Sequence, residues 1–411
     1  MHKAYKFRIK PTKSQEVLLN KTFGCVRFVW NKHVAAFNSY GVEGPIQQVT
    51  SKRLKDTDSF SFLNEVSAAA LQQKERDFEE FKKQFFNKSR KKKVGRVKFK
   101  KRCQNESYRL PNQKFSLNQT SSRIRLEKIG HVKIIIDRKI PDNVDYRSIT
   151  ISKTRTNEYY VSILVDEQID VKPSTGRSIG IDLGFIDLLT CSTGFVIENP
   201  RWFRESQAKL ARKQKHLSRK QRGSKRYERQ RLKVAKQHQK MSRQRNWYLH
   251  QISSYLVNNF DTIVMEDLNI DGMKKILGKS ASDAGLATLV NQIAYKSNWY
   301  GRTFHKIDRF YPSSKTCSCC GDKNSFGLDV REWKCSTCNT VHDRDLNASI
   351  NILKKGLQDL YDYTSAELIE VVVGNSNEYE RGEDVRLKED ATMHPLVATS
   401  MKRLTDFYEF V

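Results

Sequence analysis

The sequence lacks any long apolar run. Nowhere in its 411 residues is there a stretch close to the ~18 apolar residues that a membrane-spanning helix needs. The first residues, from Met1 to Arg8, also lack the apolar core of a secretion signal. We therefore expect an intracellular protein, cytoplasmic or associated with the nucleoid, without a membrane partner. Its 8 cysteines are few, and a reducing compartment favours metal ligation over disulfides for them.

Acidic residues are scarce as well. Asp and Glu number 46 against 75 Lys and Arg, which gives a formal net charge of +29 and a pI near 9.7. In a soluble protein such an excess favours a polyanionic partner, most often nucleic acid. Residues 356–411 have the opposite balance, with twelve acids and five bases, so we interpret them as an acidic tail and expect the tail to be disordered.

Two segments hold much of the basic excess. Residues 88–102 contain ten bases and no acid, and residues 201–246 contain eighteen bases and two acids in a composition that favours helix. We predict a helical hairpin over 209–218 and 224–242, with its break at Gly223. Charge runs are commonly solvated faces, but the net charge of this chain favours phosphate contacts. The candidate nucleic-acid-binding residues are Lys91, Lys92, Lys93, Lys98, Lys100, Lys101, Lys213, Lys215, Arg219, Lys220, Arg229 and Lys233.

Hydrophobic periodicity divides the N-terminal half of the chain. Residues 4–9 alternate apolar and basic, which is the period of a half-buried strand, and Thr12 opens a capping-box signature for a helix with an expected break at Gly24. A second helix is expected over 66–86, with its aromatic stripe packed in a core. From 107 to 166, short alternating runs separated by turn residues predict a small antiparallel β-domain, barrel-like and completed by the first strand.

Four cysteines are spaced as in a zinc ribbon. Cys317 and Cys320 form one C-x-x-C pair, Cys335 and Cys338 form another, and fourteen residues lie between the pairs. Two such knuckles can close a tetrahedral Cys₄ site around Zn²⁺, and a site with four protein ligands has no open position, so the zinc is expected to be structural. A disulfide or a chance cluster is the alternative. Cys319 is a spare thiol outside this spacing.

Three acids stand out by their positions. Asp182 interrupts an apolar strand, Glu266 ends another, and Asp345 lies near the start of an amphipathic helix. Any one of them alone would more commonly be an edge acid or a helix cap. Together they fit an α/β sheet that gathers carboxylates at one rim, where the acids repel one another unless divalent cations neutralise them. Mg²⁺ suits such oxygen ligands, and two ions about 4 Å apart can promote phosphodiester hydrolysis.

Several motifs around these residues are shared with one known family. They are Ile181-Asp182-Leu183-Gly184, Met265-Glu266-Asp267-Leu268, Tyr311-Pro312-Ser313-Ser314 and Asp343-Arg344-Asp345-Leu346-Asn347. With the cysteines, they resemble the TnpB family of transposon-encoded, RNA-guided DNA nucleases, which is related to the type V CRISPR effectors. The resemblance is strong over residues 178–353 and weaker at the N-terminus. The segment Gly95–Phe99 departs from the form that is common in relatives, so the backbone contact of that loop does not carry over.

The resemblance implies an α/β and β multidomain protein with a RuvC-like, RNase H-type nuclease domain. It implies Asp182, Glu266 and Asp345 as the catalytic triad with Mg²⁺, a structural zinc, a guide RNA and a double-stranded DNA target. One chain per guide RNA is expected, and a dimer stays open. The implied organisation is a first wedge strand (1–10), a helical recognition domain (11–104), a wedge β-domain (105–172), a nuclease domain (173–316 and 339–355) with a basic insertion (201–250), a zinc ribbon (317–338) and the tail (356–411).

Three other functions remain open from the sequence. A nuclease-inactive, RNA-guided DNA-binding repressor would share the fold and the charge but would be expected to lack one of the three acids. A guide-independent transposase or resolvase can use the same nuclease fold, and only the zinc and Tyr-Pro-Ser-Ser motifs argue against it. A zinc-ribbon RNA-binding protein without catalysis would leave Asp182 and Glu266 unexplained. Motif matches are hypotheses, and the structural context tests them.

Overall fold

The chain divides into two compact units, Met1–Gln168 and Ile169–Val411, each with its own hydrophobic core. No helix in the part of the chain that can be described is long and apolar enough to cross a membrane. The computed structural model describes residues 1–39, 49–87, 89, 95–102, 106–200, 202–269, 272, 285–327 and 329–361.

The first unit is built on a seven-stranded antiparallel sheet. Its strands are β1 (His2–Lys10), β2 (Glu106–Pro111), β3 (Phe115–Asn118), β4 (Arg123–Leu126), β5 (Gly130–Ile135), β6 (Asp145–Lys153) and β7 (Tyr159–Asp166). The order is β2-β6-β7-β1-β5-β4-β3, so the first strand lies in the middle of the sheet. Tyr5, Phe7 and Ile9 point into the core, as their alternation predicts.

The two edges of this sheet are close in sequence. β2 and β3 stand at opposite ends of the strand order, yet only the 3₁₀ turn Asn112–Lys114 separates them. Because three residues can bridge only a short gap, the sheet must curl until its edges approach each other. Among the described residues the edges are not hydrogen-bonded as strands, so the predicted barrel is a curled sheet that the covalent chain brings together.

Among the described residues between β1 and β2 there are three α-helices and a 3₁₀ segment. They are α1 (Lys13–Asn38), α2 (Ser51–Lys55), the 3₁₀ helix Asp58–Glu65 and α3 (Ala68–Phe86). The capping box at Thr12 is confirmed, because its hydroxyl accepts from Gln15 N and its N–H donates to Gln15 Oε1. The expected break at Gly24 is wrong. The cost of one helical glycine, about 1 kcal/mol, is outweighed by burial of neighbours such as Phe23 and Val26.

The second unit holds a five-stranded sheet in the order β10-β9-β8-β11-β12. Its strands β8 and β11 are nearly continuous apolar runs that pair in parallel, and β12 also runs parallel to β11. Such runs are typical of strands that are covered on both faces. The elements are β8 (Ser178–Leu183), β9 (Asp187–Cys191), β10 (Val196–Glu198), α4 (Trp202–Ser218), α5 (Lys225–Asn259), β11 (Thr262–Glu266), α6 (Leu286–Tyr300), β12 (Thr303–Ile307), β13 (Glu332–Lys334), β14 (Val341–Asp343) and α7 (Arg344–Tyr361).

Helices α4 and α5 form the basic hairpin, with Gly223 at φ +86° in the turn between them. The predicted end of the second helix at residue 242 is wrong, because α5 continues to Asn259. Its last turns are amphipathic: Leu249, Ile252 and Leu256 are buried in the core of the second unit. Tertiary packing of this apolar face extends a helix whose first half is polar.

Candidate active site

The register of two parallel strands places Asp182 beside Glu266. Ile181 of β8 pairs with Met265 of β11, so the next residue on each strand is one of the two acids. Neighbouring strands lie about 4.8 Å apart, and residues at one register level point to the same side of the sheet. The two acids therefore stand at the carboxyl ends of adjacent strands, on the rim where sites of α/β sheets are found.

Helix α7 brings the third acid to this rim. Asp343 caps the helix, since its Oδ1 accepts from the backbone N–H groups of Asp345 (3.0 Å) and Leu346 (2.8 Å). Asp345 is thus held in the first helical turn, where a carboxylate is also favoured by the helix dipole. The cap role of Asp343 separates it from Asp345, although both belong to the same short motif.

Two glycines allow α7 to lie directly on the sheet. A Cβ on Gly180 would stand 2.2 Å from the carbonyl oxygen of Ser349, and a Cβ on Gly356 would stand 2.3 Å from Cγ1 of Val264. Gly180 lies two residues before Asp182 and faces the same side of β8. The absence of a side chain at Gly180 therefore determines how closely the helix that carries Asp345 approaches Asp182. The sequence alone did not reveal the role of either glycine.

The proximity and burial of the acids shift their pKa values upward. Burial raises the pKa of Asp182 to about 6, with the charge of the Asp345 carboxylate as the next cause. Burial also raises the pKa of Glu266 to about 7, with the charge of Asp182 as the next cause, while the Arg309 guanidinium opposes the shift. Buried like charges disfavour ionisation, and a divalent cation relieves both penalties. The donor set therefore fits a hard cation such as Mg²⁺.

Asp345 has two guanidinium partners. Arg331 Nη1 contacts Oδ2 of Asp345 at 2.6 Å, and Arg344 Nε contacts Oδ1 at 3.1 Å. In this arrangement the oxygens of the three carboxylates are not gathered as tightly as the thiols described below. Within the described ranges, the cysteine set is the only group of three or more metal-capable side chains whose ligand atoms all lie within 4.8 Å of one another.

The four predicted zinc ligands come together as a compact set. Cys317, Cys320, Cys335 and Cys338 are free thiols. Their sulfurs lie 3.5 Å apart for Cys317 and Cys338 and 3.6 Å apart for Cys320 and Cys335. Tetrahedral Zn²⁺ with Zn–S bonds of about 2.3 Å separates its sulfurs by about 3.8 Å, so the set fits zinc without rearrangement. Gly321, at φ +79°, follows the first knuckle in the left-handed region that its tight turn requires.

Three polar side chains of α7 bind the zinc segment, and two of them, Asn347 and Asn351, are buried. Asn347 accepts from Ser318 N at 2.8 Å and donates to the carbonyl of Thr316 at 2.8 Å, and Asn351 donates to the same carbonyl at 2.6 Å. Lys354 Nζ reaches the carbonyl of Ser318 at 2.6 Å. Three successive turns of α7 thus satisfy the backbone of the first knuckle. These contacts explain why an asparagine stands at position 347 of the acidic motif. The motif was visible in the sequence, but the role of Asn347 could not be inferred from it.

The second knuckle leads into the third acid without a linker. The hairpin β13–β14 holds Cys335 and Cys338 between its two strands, and it ends at Asp343, directly before α7 begins. Within it, His342 Nε2 lies 3.0 Å from Cys317 Sγ, and the ring of Trp333 lies 4.7 Å from the imidazole. The zinc site and the N-terminus of α7 are therefore parts of one packed segment.

The candidate nucleic-acid contacts differ in exposure. Lys91, Lys92 and Lys93 lie outside the described residues, as does the tail beyond residue 361. Lys213 is tied inside the hairpin, since its Nζ donates to Gln237 at 2.7 Å. Those exposed to solvent are Lys98, Lys100, Lys101, Lys215, Arg219, Arg229 and Lys233, and Lys220 is half-buried.

The segment with Lys98 and Lys100 is held against α1. Trp30 Nε1 donates to the carbonyl of Lys98 at 3.3 Å, and the Asn31 amide accepts from the N–H of Lys100 at 2.8 Å and donates to its carbonyl at 3.1 Å. Lys100 Nζ lies 4.0 Å from the centre of the Trp30 ring. This segment therefore presents its lysines from a fixed backbone, although it departs from the family motif.

Comparisons with known proteins match this chain to related families along most of its length. Residues 160–277 match a family model described as "Probable transposase", and residues 287–352 match one described as "Cas12f1-like, TNB domain". Residues 1–40 match one described as "Helix-turn-helix domain", a range that holds β1 and α1 here.

Two relatives cover nearly the whole chain. The "Putative RNA-guided DNA endonuclease" of Streptomyces pristinaespiralis is 36% identical over 365 residues, which span 86% of this chain and 89% of that protein. The "Putative RNA-guided DNA endonuclease InsQ" of Escherichia coli (strain K12) is 30% identical over 378 residues, which span 86% of this chain and 92% of that protein. A solved Cas12f1–sgRNA–target DNA complex has a TM-score of 0.51 at 14% identity, covering 86% of this chain and 98% of that one, which shows a likeness of fold.

Proposed function

This chain belongs to the TnpB family of RNA-guided DNA endonucleases, and from that premise we propose that it cuts double-stranded DNA next to a short target-adjacent motif, directed by a guide RNA. Base pairing with the guide would read the target sequence, while the protein holds the heteroduplex and the motif. The gene would be part of a transposon, in keeping with the "Probable transposase" model.

The observation that carries the catalytic assignment is the meeting of three acids at one rim. The register of β8 and β11 sets Asp182 beside Glu266, and α7 brings in Asp345. These carboxylates would hold Mg²⁺ through oxygen ligands. When bound, two such ions would activate a water and stabilise the leaving 3′-oxygen of the phosphodiester. Asp343 and Gly180 position the third acid rather than bind metal.

The other parts of the chain would hold the nucleic acids and the site. The cysteine set would bind a structural zinc that orders the segment fastened to α7. The exposed lysines and arginines of α4, α5 and residues 95–102 would neutralise phosphates of guide and target. The retained triad argues against the nuclease-inactive repressor, and the near-complete match to named RNA-guided endonucleases argues against guide-independent action.

The function is tested by recovering the guide. RNA that copurifies with the protein from its native locus should be a discrete structured species with a variable 3′ end. Reprogramming that end should redirect Mg²⁺-dependent cleavage to a matching DNA target, and Asp182→Ala should bind the same RNA without cutting. Replacing Mg²⁺ with Ca²⁺ should preserve binding and suppress turnover. Absence of a bound RNA, or cleavage independent of its sequence, would contradict the proposal.

A further inference from the structure

Phe310 is the most exposed large hydrophobic side chain in the part of the chain that the structure describes, with 85% of its surface accessible. It follows the end of β12 by three residues, and β12 runs parallel to β11. Phe310 therefore lies beyond the carboxyl ends of the parallel strands, at the edge of the sheet that carries Asp182 and Glu266. Single exposed apolar residues are common on protein surfaces, so its support and its neighbours decide whether this one has a role.

The backbone on both sides of Phe310 is fixed. Arg309 donates from Nε to the carbonyl of Asp267 at 2.8 Å and from Nη2 to its Oδ2 at 2.7 Å. The N–H of Phe310 itself donates to Oδ1 of Asp308 at 2.7 Å. On the other side, Tyr311 packs against the core cluster under α7. The ring is thus presented to solvent from an anchored turn.

The anchor of this turn adjoins the carboxylate site. Asp267 follows Glu266 directly, and it also pairs with Lys306 at 3.2 Å. The base of the turn therefore holds two basic side chains, Arg309 and Lys306, whose charges are balanced by Asp267 and Asp308. A nucleic-acid strand that reaches Glu266 would meet an exposed aromatic ring next to these two basic side chains.

A nucleobase suits this ring better than a protein partner does. A protein interface requires a contiguous patch of many residues, whereas one phenyl ring matches the face of one base. Stacking accepts any base, because every base has a π-face. Such a contact fits a nuclease in which the guide, and not the protein, reads the sequence.

We propose that Phe310 stacks on a nucleobase of the DNA strand that enters the carboxylate site and so positions the neighbouring phosphodiester. The proposal rests on the proposed nuclease function and adds to it a positioning residue and a binding subsite for single-stranded DNA. Phe310 touches no reacting atom in this role. It fixes one base, and the sugar–phosphate link restricts where the next phosphate lies.

Photocrosslinking tests the contact directly. The full-length protein with its copurifying RNA is irradiated in Ca²⁺ buffer with a single-stranded DNA of about 12 nucleotides that carries 5-iodouracil, a length within the usual range of single-strand sites. Trypsin releases Phe310–Lys315 as one peptide. Fragmentation of the crosslinked peptide should place the adduct on Phe310 in the wild type and in Asp182→Ala, and the adduct should disappear in Phe310→Leu.

Affinity and turnover give a second readout. Phe310→Ala should weaken binding of this DNA about 5- to 150-fold, the range that corresponds to about 1–3 kcal/mol for one stacked base. Phe310→Trp should retain binding and cleavage because it keeps a stacking face. Phe86→Ala is a matched control, since Phe86 is 55% exposed but belongs to α3 of the other unit, and it should leave the crosslink unchanged.

Several outcomes would overturn the proposal. Crosslinks that map only to other residues, or a Phe310→Ala protein with wild-type affinity and cleavage, would exclude stacking. A change in oligomeric state without a change in DNA binding would assign the ring to a contact between chains instead. A wild type that cuts DNA without a Phe310 crosslink would overturn this inference alone. A wild type that crosslinks through Phe310 but never cuts would count against the proposed function.

Discussion

Asp182 is a carboxylate in a buried strand, and its effect on stability depends on pH. Its pKa of about 6 lies above the ordinary value of 3.8, so the folded protein holds the proton more tightly than the unfolded chain does. Stability therefore falls as the pH rises from about 4 to about 6, and the penalty is complete above that window. At about 1.4 kcal/mol per unit of pKa, the penalty is on the order of 2–3 kcal/mol.

We expect Asp182→Asn to raise the free energy of unfolding at pH 7.5, because the amide cannot ionise. The advantage should vanish near pH 4, where the carboxyl is protonated in both states. Adding Mg²⁺ should stabilise the wild type and leave the variant unchanged. Urea unfolding at several pH values, with and without Mg²⁺, measures this. If the free energy of unfolding varied with pH in the same way for both proteins, ionisation of the Asp182 carboxylate would not destabilise the fold.

Asp343 and Asp345 are close in sequence but have different assigned roles. Asp345→Ala should abolish cleavage and leave RNA and target binding largely intact, because the residue is a proposed metal ligand and touches no base. Asp343→Ala should lose a helix cap, lower stability by about 1 kcal/mol and retain measurable cleavage. Guide-directed cleavage together with thermal melts would separate the two roles. If the Asp343 variant were dead and the Asp345 variant active, the third acid would be misassigned.

At the scale of elements, the contact of α7 with β8 has no room for a methyl group. Gly180→Ala would set a Cβ against the backbone of Ser349 and against Leu353, 2.7 Å away. We expect a loss of about 1–3 kcal/mol from overpacking and a fall in cleavage, because α7 and Asp345 would shift together.

Gly24→Ala provides the matched control for this substitution. Gly24 lies inside α1, and the nearest atom to a new Cβ is 3.9 Å away, so the same change should stabilise by up to about 1 kcal/mol. Urea midpoints compare the two variants. A neutral Gly180→Ala would mean that the helix does not depend on this close approach.

The zinc segment should respond as a unit. Cys335→Ser should lower stability and cleavage together, because a closed Cys₄ site contributes folding free energy and its segment leads into α7. Cys319→Ser should be nearly silent, since Cys319 is exposed and outside the sulfur cluster. Elemental analysis should find one zinc per wild-type chain and less in the Cys335 variant. A fully active, zinc-free variant would rule out the ribbon.

Short sequence patterns predicted those features of the structure that depend on residues close together in the chain. The two C-x-x-C pairs predicted the sulfur cluster, and the acids at the ends of apolar strands predicted the rim that the register then forms. The continuation of α5 beyond residue 242 could not be predicted from composition. Its apolar face is stabilised by packing against the core of the second unit, and the sequence does not show that contact. The contact of Arg331 with Asp345 likewise depends on tertiary structure, because the β13–β14 hairpin brings together two residues that are fourteen positions apart.

For the whole molecule, the excess of positive charge should control the affinity for RNA and DNA. Replacing Lys215, Arg219, Arg229 and Lys233 with glutamine should weaken binding to RNA and DNA of any sequence. It should reduce the log–log salt slope by about 0.7–0.9 per lost phosphate contact. Lys213→Gln is the control, because the ammonium of Lys213 is bound to Gln237 within the hairpin. Filter binding over a salt series checks the slopes. An unchanged slope in the fourfold variant would assign the hairpin a role other than phosphate contact.

The central place of β1 in the first sheet has a consequence for synthesis on the ribosome. β1 is made first, but β7, its longest partner, ends at Asp166, and the helical segment is made in between. The entropy cost of closing so long a loop must be met before the strands can pair. This unit is therefore expected to complete its fold only after residue 166 has emerged. Until then β1 can pair only through residues 8–10, with β5, and the apolar side chains of Tyr5 and Phe7 depend on the distant β7 or on a chaperone.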